Sequence, residues 1–127
     1  MEEGKNFDLE SRLVAFAVKI STLVEGLPTT ISARNIAGQL IRSGTAPALN
    51  YGEAKSAESS NDFIHKMKIA LKELRETFIA LKILSQFNIQ EQGNLINSCL
   101  LECNELISIF VKSIQTAERN RQMKNRS

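Results

Sequence analysis

The feature that most constrains the fold is a helical spacing of apolar residues that recurs in four separate blocks. In each block apolar side chains return every third or fourth residue, which places them on one face of an α-helix. The sequence predicts helices over residues 7–26, 30–57, 61–87 and 91–118. Because the connections between the blocks are short, consecutive helices are expected to run antiparallel. The predicted fold class is therefore all-α, an antiparallel up-down-up-down four-helix bundle.

The composition agrees with this class and argues against several others. The chain has 127 residues, of which 43% are hydrophobic and 24% charged, as expected for one globular domain. Six glycines and two prolines are too few for the turns of a β-sandwich or barrel. Two cysteines and an acidic start predict neither a secreted disulfide scaffold nor a signal peptide. Since the apolar runs are short, we expect a cytoplasmic protein with no membrane association.

The second block differs from the others in having small residues along its seam and a proline inside it. Residues such as Ala33 and Gly44 allow a neighbouring helix to approach closely. Pro47 has no backbone N–H with which to bond the carbonyl of Ser43. We therefore expect the second helix to be kinked or broken near Pro47.

Charge is distributed unevenly along the chain. The net charge is +2, but residues 118–127 alone hold four basic residues and one acidic residue. We predict a bundle domain over residues 1–118 and a basic C-terminal tail over residues 119–127. The tail is either a solvated chain end or a contact for an anionic partner.

A line of basic side chains follows one face of the third helix, at spacings of three, four, three and seven residues. Such a stripe can follow a phosphate backbone, or it can be an ordinary solvated face. The candidate nucleic-acid-binding residues are His65, Lys68, Lys72, Arg75 and Lys82, together with Arg119 and Arg121 of the tail.

The residue types that catalysis and metal binding require are scarce. His65 is the only histidine, so neither a histidine-dependent triad nor a paired Glu-x-x-His di-iron site can be assembled. Cys99 and Cys103 lie four apart on the apolar line, which favours buried free thiols over zinc ligands or a disulfide. We predict no catalytic residues, no metal ligands, no cofactor and no enzymatic activity.

Polar side chains are concentrated in residues 39–54 and in the facing part of the third helix. Arg42 and Glu53 can reach charged residues on the third helix, where Glu73 and Glu76 share a face. A structural polar network between the two helices is the favoured interpretation, and a subunit or ligand contact is the alternative. The predicted network comprises Gln39, Arg42, Ser43, Asn50, Glu53, Lys66, Glu73 and Glu76.

Residues 39–77 resemble the bacterial four-helix-bundle family of proteins encoded in 23S ribosomal RNA intervening sequences. That family has a glutamine-leucine, an arginine-serine, an asparagine followed by a glutamate, and a later helix with Ala-x-x-Glu and Arg-Glu-Thr. The matching residues here are Gln39, Leu40, Arg42, Ser43, Asn50, Glu53, Ala54, Phe63, Lys66, Ala70, Glu73, Arg75, Glu76 and Thr77. Ile79 and Ala80 stand where the family usually has an aromatic pair.

The resemblance implies a homopentamer with no established enzymatic activity. A related group serves reverse transcriptases of diversity-generating retroelements as accessory proteins that engage nucleic acid. Two functions therefore stay open: association with RNA or an RNA-handling complex, and a protein-interaction module such as a reverse transcriptase accessory protein. A second apolar line independently predicts self-association, because such lines on bundle helices are usually interfaces. It comprises Ile69, Ile79, Ile83 and Ile109.

Overall fold

The computed structural model describes residues 8–126, with the side chains of residues 8–125. Its helices are α1 (Leu9–Glu25), α2 (Ile31–Lys55), α3 (Ser60–Ser85) and α4 (Gly93–Arg126), with a 3₁₀ turn at Gln90–Gln92 before α4. No strand occurs in this part of the chain. The all-α prediction is confirmed, and the described ends of α1, α2 and α3 lie within two residues of their predicted positions. Phe7, the predicted first residue of α1, lies outside the described residues.

The helices pack in chain order around one core. α2 packs between α1 and α3, α3 packs against α4, and α1 closes the bundle against α4. α1 and α3 consequently lie across the bundle from each other. This is the predicted up-down-up-down arrangement.

Side-chain caps fix where three of the helices begin. The Asp8 carboxylate accepts a hydrogen bond from the Glu10 amide, and the Thr30 hydroxyl accepts one from the Ala33 amide. The Ser59 hydroxyl accepts the Asp62 amide in the same way. Each cap satisfies an amide that has no partner within its own helix, which adds about 1 kcal/mol of stability.

All four helices contribute to the core. Buried side chains recur every third or fourth residue along the helices, which is the spacing of apolar residues in the sequence. The largest fully buried apolar side chains are Leu13, Phe16, Ile20, Leu23, Leu40, Met67, Leu74, Leu81, Leu84, Leu106 and Phe110.

α2 runs through Pro47 without interruption, so a break at this position is wrong, whereas the predicted kink stays a prediction. The proline removes one backbone hydrogen bond, while the Thr45 hydroxyl donates to the carbonyl of Ile41 at 2.6 Å in the preceding turn. Pro47 is itself buried among the small residues of the α2 seam. Packing on both sides therefore holds the helix together where the backbone ladder is incomplete.

α4 extends eight residues beyond the predicted end at residue 118. The apolar periodicity stops near Ala117, but residues 119–126 contain no glycine or proline, and six of the eight are arginine, glutamine, methionine or lysine. These six are good helix formers, so the backbone stays helical where the core contacts end. The basic segment predicted as a tail is thus a helical extension up to Arg126.

α4 is also the one helix of the described part that is long and apolar enough to cross a membrane by length and composition. Its apolar face is occupied within the bundle, so we assign α4 as a core helix. The buried side chains of that face are Ile96, Cys99, Cys103, Leu106, Phe110 and Ile114.

Gly44 sets how closely α2 approaches α1. A Cβ atom at this position would lie 2.9 Å from Cγ2 and 3.2 Å from Cβ of Ile20, whereas Gly52 on the same helix has open space around it. We predict that Gly44→Ala lowers the free energy of unfolding by about 1 kcal/mol, because overpacking outweighs the gain in helix propensity. Gly52→Ala should instead raise it, by up to about 1 kcal/mol. Urea denaturation of both variants tests this, and stabilisation by both substitutions would contradict it.

Candidate functional site

A buried pair of hydroxyl groups joins α2 to α3. Oγ1 of Thr77 lies 2.8 Å from Oγ of Ser43 and 2.8 Å from the carbonyl oxygen of Glu73. Since Thr77 has a single hydroxyl proton and a carbonyl can only accept, Thr77 donates to Glu73 and Ser43 donates to Thr77. Both residues are buried, so losing one partner would leave an unsatisfied polar group at a cost of about 1–3 kcal/mol.

A polar cleft of about 340 Å³ opens directly above this pair. Its walls come from α2 and α3 only. The lining residues are Gln39, Arg42, Ser43, Ala46, Glu73 and Glu76. Five of the eight residues predicted as a polar network therefore converge at one place.

The surroundings of the cleft shift the pKa of one carboxyl group, that of Glu73. Burial raises the pKa of Glu73 above its ordinary value, and the neighbouring Glu76 carboxylate raises it further. The positive charges of Lys72 and Arg42 oppose both effects without cancelling them. Glu73 therefore takes up a proton more readily than an ordinary glutamate side chain does.

The other three network residues lie outside the cleft. Nζ of Lys66 lies 3.1 Å from Oε1 of Glu53, the predicted kind of salt bridge between α2 and α3. Asn50 is half-buried on α2 and does not line the cleft. Thr77 was missing from the predicted network although it lies four residues after Glu73, the spacing at which a threonine can bond back to its own helix.

A second, more apolar groove adjoins the cleft on the outer side of α3. It has a volume of about 570 Å³ and shares Gln39 and Glu76 with the cleft. Two isoleucines of the predicted second apolar line are exposed in it, Ile79 at 54% and Ile83 at 42%. The remaining lining residues are Lys68, Leu71, Lys72, Arg75 and Ala80.

Two surfaces hold all the candidate nucleic-acid-binding residues except Lys82, and Lys68 borders both surfaces. Lys68, Lys72 and Arg75 line the apolar groove, while Lys82 lies further along α3 with its ammonium 5.6 Å from the ring centre of Phe78. All four are exposed. The stripe therefore borders exposed apolar side chains, which its spacing alone did not predict.

The second surface lies at the end of the bundle where α3 begins and α4 ends. Nζ of Lys68 pairs with Oε2 of Glu118 at 3.0 Å, and Arg121 donates to Oδ1 of Asn61 at 2.8 Å. These contacts bring the start of the stripe beside the basic C-terminal segment. We call this region the basic end surface and define it by His65, Lys68, Arg119, Arg121 and Lys124.

A further feature of the described residues is their set of side chains that can bind metals or act as nucleophiles. Residues 8–125 contain no group of three or more histidine, cysteine or acidic side chains placed to hold a metal ion. Cys99 and Cys103 are buried as free thiols, and burial raises their pKa values to about 11 and about 12. Both thiols are therefore protonated at neutral pH and unreactive as nucleophiles.

These features define an antiparallel helical bundle whose α2–α3 surface holds the polar and basic groups. A sequence profile described as 23S rRNA-intervening sequence protein matches residues 5–112. The chain belongs to the 23S rRNA-intervening sequence protein family. No curated protein sequence matches the chain significantly.

A crystal structure with the same fold comes from Bacteroides thetaiotaomicron VPI-5482 and is described as a protein of unknown function from the S23 ribosomal protein family. It is 30% identical to this chain, with a TM-score of 0.76. The match covers 84% of this chain and 98% of the other. The similarity extends over the whole relative, which supports the bundle assignment but assigns no activity.

The raised pKa of Glu73 predicts a pH-dependent change in stability. In the pH range between the ordinary carboxyl pKa and the raised value, the folded protein keeps a proton that the unfolded chain has lost, so stability falls as the pH rises. We predict that Glu73→Gln raises the melting temperature at pH 7. The gain should shrink towards pH 4, because Glu73 of the wild type becomes increasingly protonated in the unfolded chain as well as in the folded protein.

Thermal unfolding followed by circular dichroism at both pH values measures the effect. The matched control is Glu58→Gln, at an exposed position outside the cleft. Equal effects of the two substitutions at pH 7 would contradict the assignment.

Proposed function

We propose that the protein is a non-enzymatic, self-assembling bundle of the cytoplasm that binds RNA through the basic end surface. The assembly we propose is the homopentamer that the family resemblance implies. The RNA is recognised through its phosphates, because the chain has no tryptophan and one tyrosine with which to stack bases.

The continuation of α4 to Arg126 carries this proposal. As an unstructured tail, the C-terminal segment would present its cations without a fixed position. As a helix beside the start of α3, it holds Arg119 and Lys124 exposed next to His65 and Lys68. Two basic features that are separated in sequence thus support one phosphate-binding surface.

Self-assembly provides the strength that one subunit lacks. Glu118 pairs with Lys68, so each subunit offers only a few uncompensated cations at this end. A closed ring repeats the surface in every subunit, and several weak phosphate contacts to one RNA then act together. Tight binding is expected of the assembly and weak binding of a single subunit.

A protein-interaction module is the second candidate function, and the apolar groove on α3 favours it. Exposed isoleucines flanked by cations are typical of protein contacts, whereas phosphate binding needs no apolar surface. A reverse transcriptase of a retroelement is one such partner. The two functions predict different results when a cation of the basic end surface is substituted. RNA binding requires these cations, whereas a protein contact at the apolar groove does not.

We predict that Arg119→Glu lowers affinity for a structured hairpin RNA about tenfold or more at about 50 mM salt. The slope of log affinity against log salt should fall by about one or more. The matched control is Arg34→Glu, which makes the same charge change at an exposed site in the first turn of α2, at the opposite end of the bundle.

Filter-binding titrations at about 50 and 200 mM salt measure both quantities. The control should keep wild-type affinity to within about twofold. An equal loss in both variants would indicate attraction by net charge alone, and unchanged binding by Arg119→Glu would refute the proposed surface.

A further inference from the structure

The groove on the outer side of α3 is divided along its length into a basic half and an apolar half. Its lining on α3 runs from Lys68 to Ile83, which are fifteen residues apart, or about 22 Å along the helix. The cations Lys68, Lys72 and Arg75 lie in the half nearer the start of α3, and the exposed isoleucines Ile79 and Ile83 lie in the other half.

The charges of the groove do not cancel within the molecule. Nζ of Lys68 pairs with Glu118 on α4, but no ion pair joins Lys72 or Arg75 to another residue of the described chain. Both side chains are exposed. Glu76 is the one carboxylate of the lining, and it stands on the side of α3 that also faces the polar cleft. With three cations and one carboxylate, the lining keeps an excess of positive charge.

The kind of molecule that can cover this groove is limited by its apolar half and by the backbone of α3. Phosphates would meet the cations but leave Ile79 and Ile83 in water. The backbone groups of α3 are bonded within the helix along the groove, so an extended peptide would find no backbone partner there. A helix satisfies its own backbone groups and can bury apolar side chains against the isoleucines. About 15 residues of helix span the length of the groove.

The order of the side chains indicates what such a helix carries. Lys72, Arg75, Ile79 and Ile83 follow one another at intervals of three, four and four residues, so they fall within about 80° of one another around α3. A helix alongside α3 meets them with one of its own faces. Glu76 borders this face towards the cleft and repels a carboxylate placed beside it. The carboxylates of a matching helix are therefore confined to the half next to the two cations.

We propose that the groove on α3 binds an amphipathic helix of a partner protein, whose docking face has carboxylates in one half and large apolar side chains in the other. The carboxylates face Lys72 and Arg75, and the apolar side chains face Ile79 and Ile83. The inference rests on the second candidate function, the protein-interaction module, and adds the chemistry of its partner. It does not depend on RNA binding, because Arg119 of the basic end surface does not line the groove.

Selection of helical peptides from a random phage-displayed library against the full chain tests the chemistry of the partner. The selected peptides should have acidic residues in one half of a helical face and large apolar residues in the other. Fluorescence anisotropy should show that Ile79→Asp lowers the affinity for a selected peptide about tenfold or more. Lys72→Glu/Arg75→Glu should do the same, and a peptide with lysine at its acidic positions should bind this double variant more tightly than it binds the wild type.

Two matched controls make the same kinds of change at exposed sites on α4. Leu101→Asp and Lys112→Glu should keep the wild-type peptide affinity to within about twofold. Ile79→Asp should keep the wild-type RNA affinity and helical circular dichroism, which shows that the variant is folded. Arg119→Glu should lose RNA affinity and keep peptide affinity.

The possible failures are distinguishable. Selected peptides without acidic residues, peptides that bind Ile79→Asp as tightly as the wild type, or a library that yields no peptide would each overturn the docking site and leave the RNA proposal standing. Sedimentation velocity separates the remaining case. If the wild type is an oligomer that Ile79→Asp dissociates, a second copy of this chain covers the groove, and the proposed partner is wrong.

Discussion

The close approach of α2 to its neighbours is the constraint on which the rest of the bundle depends. Gly44 lets Ile20 of α1 pack against the backbone of α2, and Pro47 is buried one turn further along. On its other side, α2 meets α3 through the hydrogen bond between Ser43 and Thr77. Small side chains bury little apolar area, so this seam depends on short distances and satisfied polar groups. The polar cleft forms above the same seam, which ties the candidate site to the core packing.

The fold was predictable because the apolar period is regular in all four blocks and helix-breaking glycine and proline residues are few. The apolar period could not predict whether a helix continues at positions where packing, rather than helix propensity, determines the backbone conformation. Pro47 predicted a kink or a break, and the helix is unbroken because α2 packs against a helix on each side. At the C-terminus, by contrast, helix propensity continues α4 beyond the last core contact. A break at Pro47 and an end of α4 at residue 118 were therefore wrong, because both rested on local signals alone.

The candidate site was predictable in part. Gln39, Arg42, Ser43, Glu73 and Glu76 converge as expected, because their spacing places them on facing sides of two antiparallel helices. Thr77 matched the family pattern but was left out of the predicted network, since a threonine inside an apolar seam resembles a core residue. The basic stripe is exposed, and its position beside both the groove and the end of the bundle depends on how α4 lies beside α3. The sequence of one helix alone contains no pattern that predicts how a second helix lies beside it.

The account assigns each part of the bundle a separate role: the apolar core holds the fold, the α2–α3 seam positions the polar cleft, and the basic end surface meets RNA. Its central claim is that RNA binds where α3 begins and α4 ends. Hydroxyl-radical footprinting of the full chain, with and without a structured hairpin RNA, tests this claim most directly. The account predicts that the RNA protects side chains at the start of α3 and in the last turns of α4, and leaves the first turn of α2 at the opposite end of the bundle unprotected. Protection of the α2 end alone, or no protection anywhere, would contradict it.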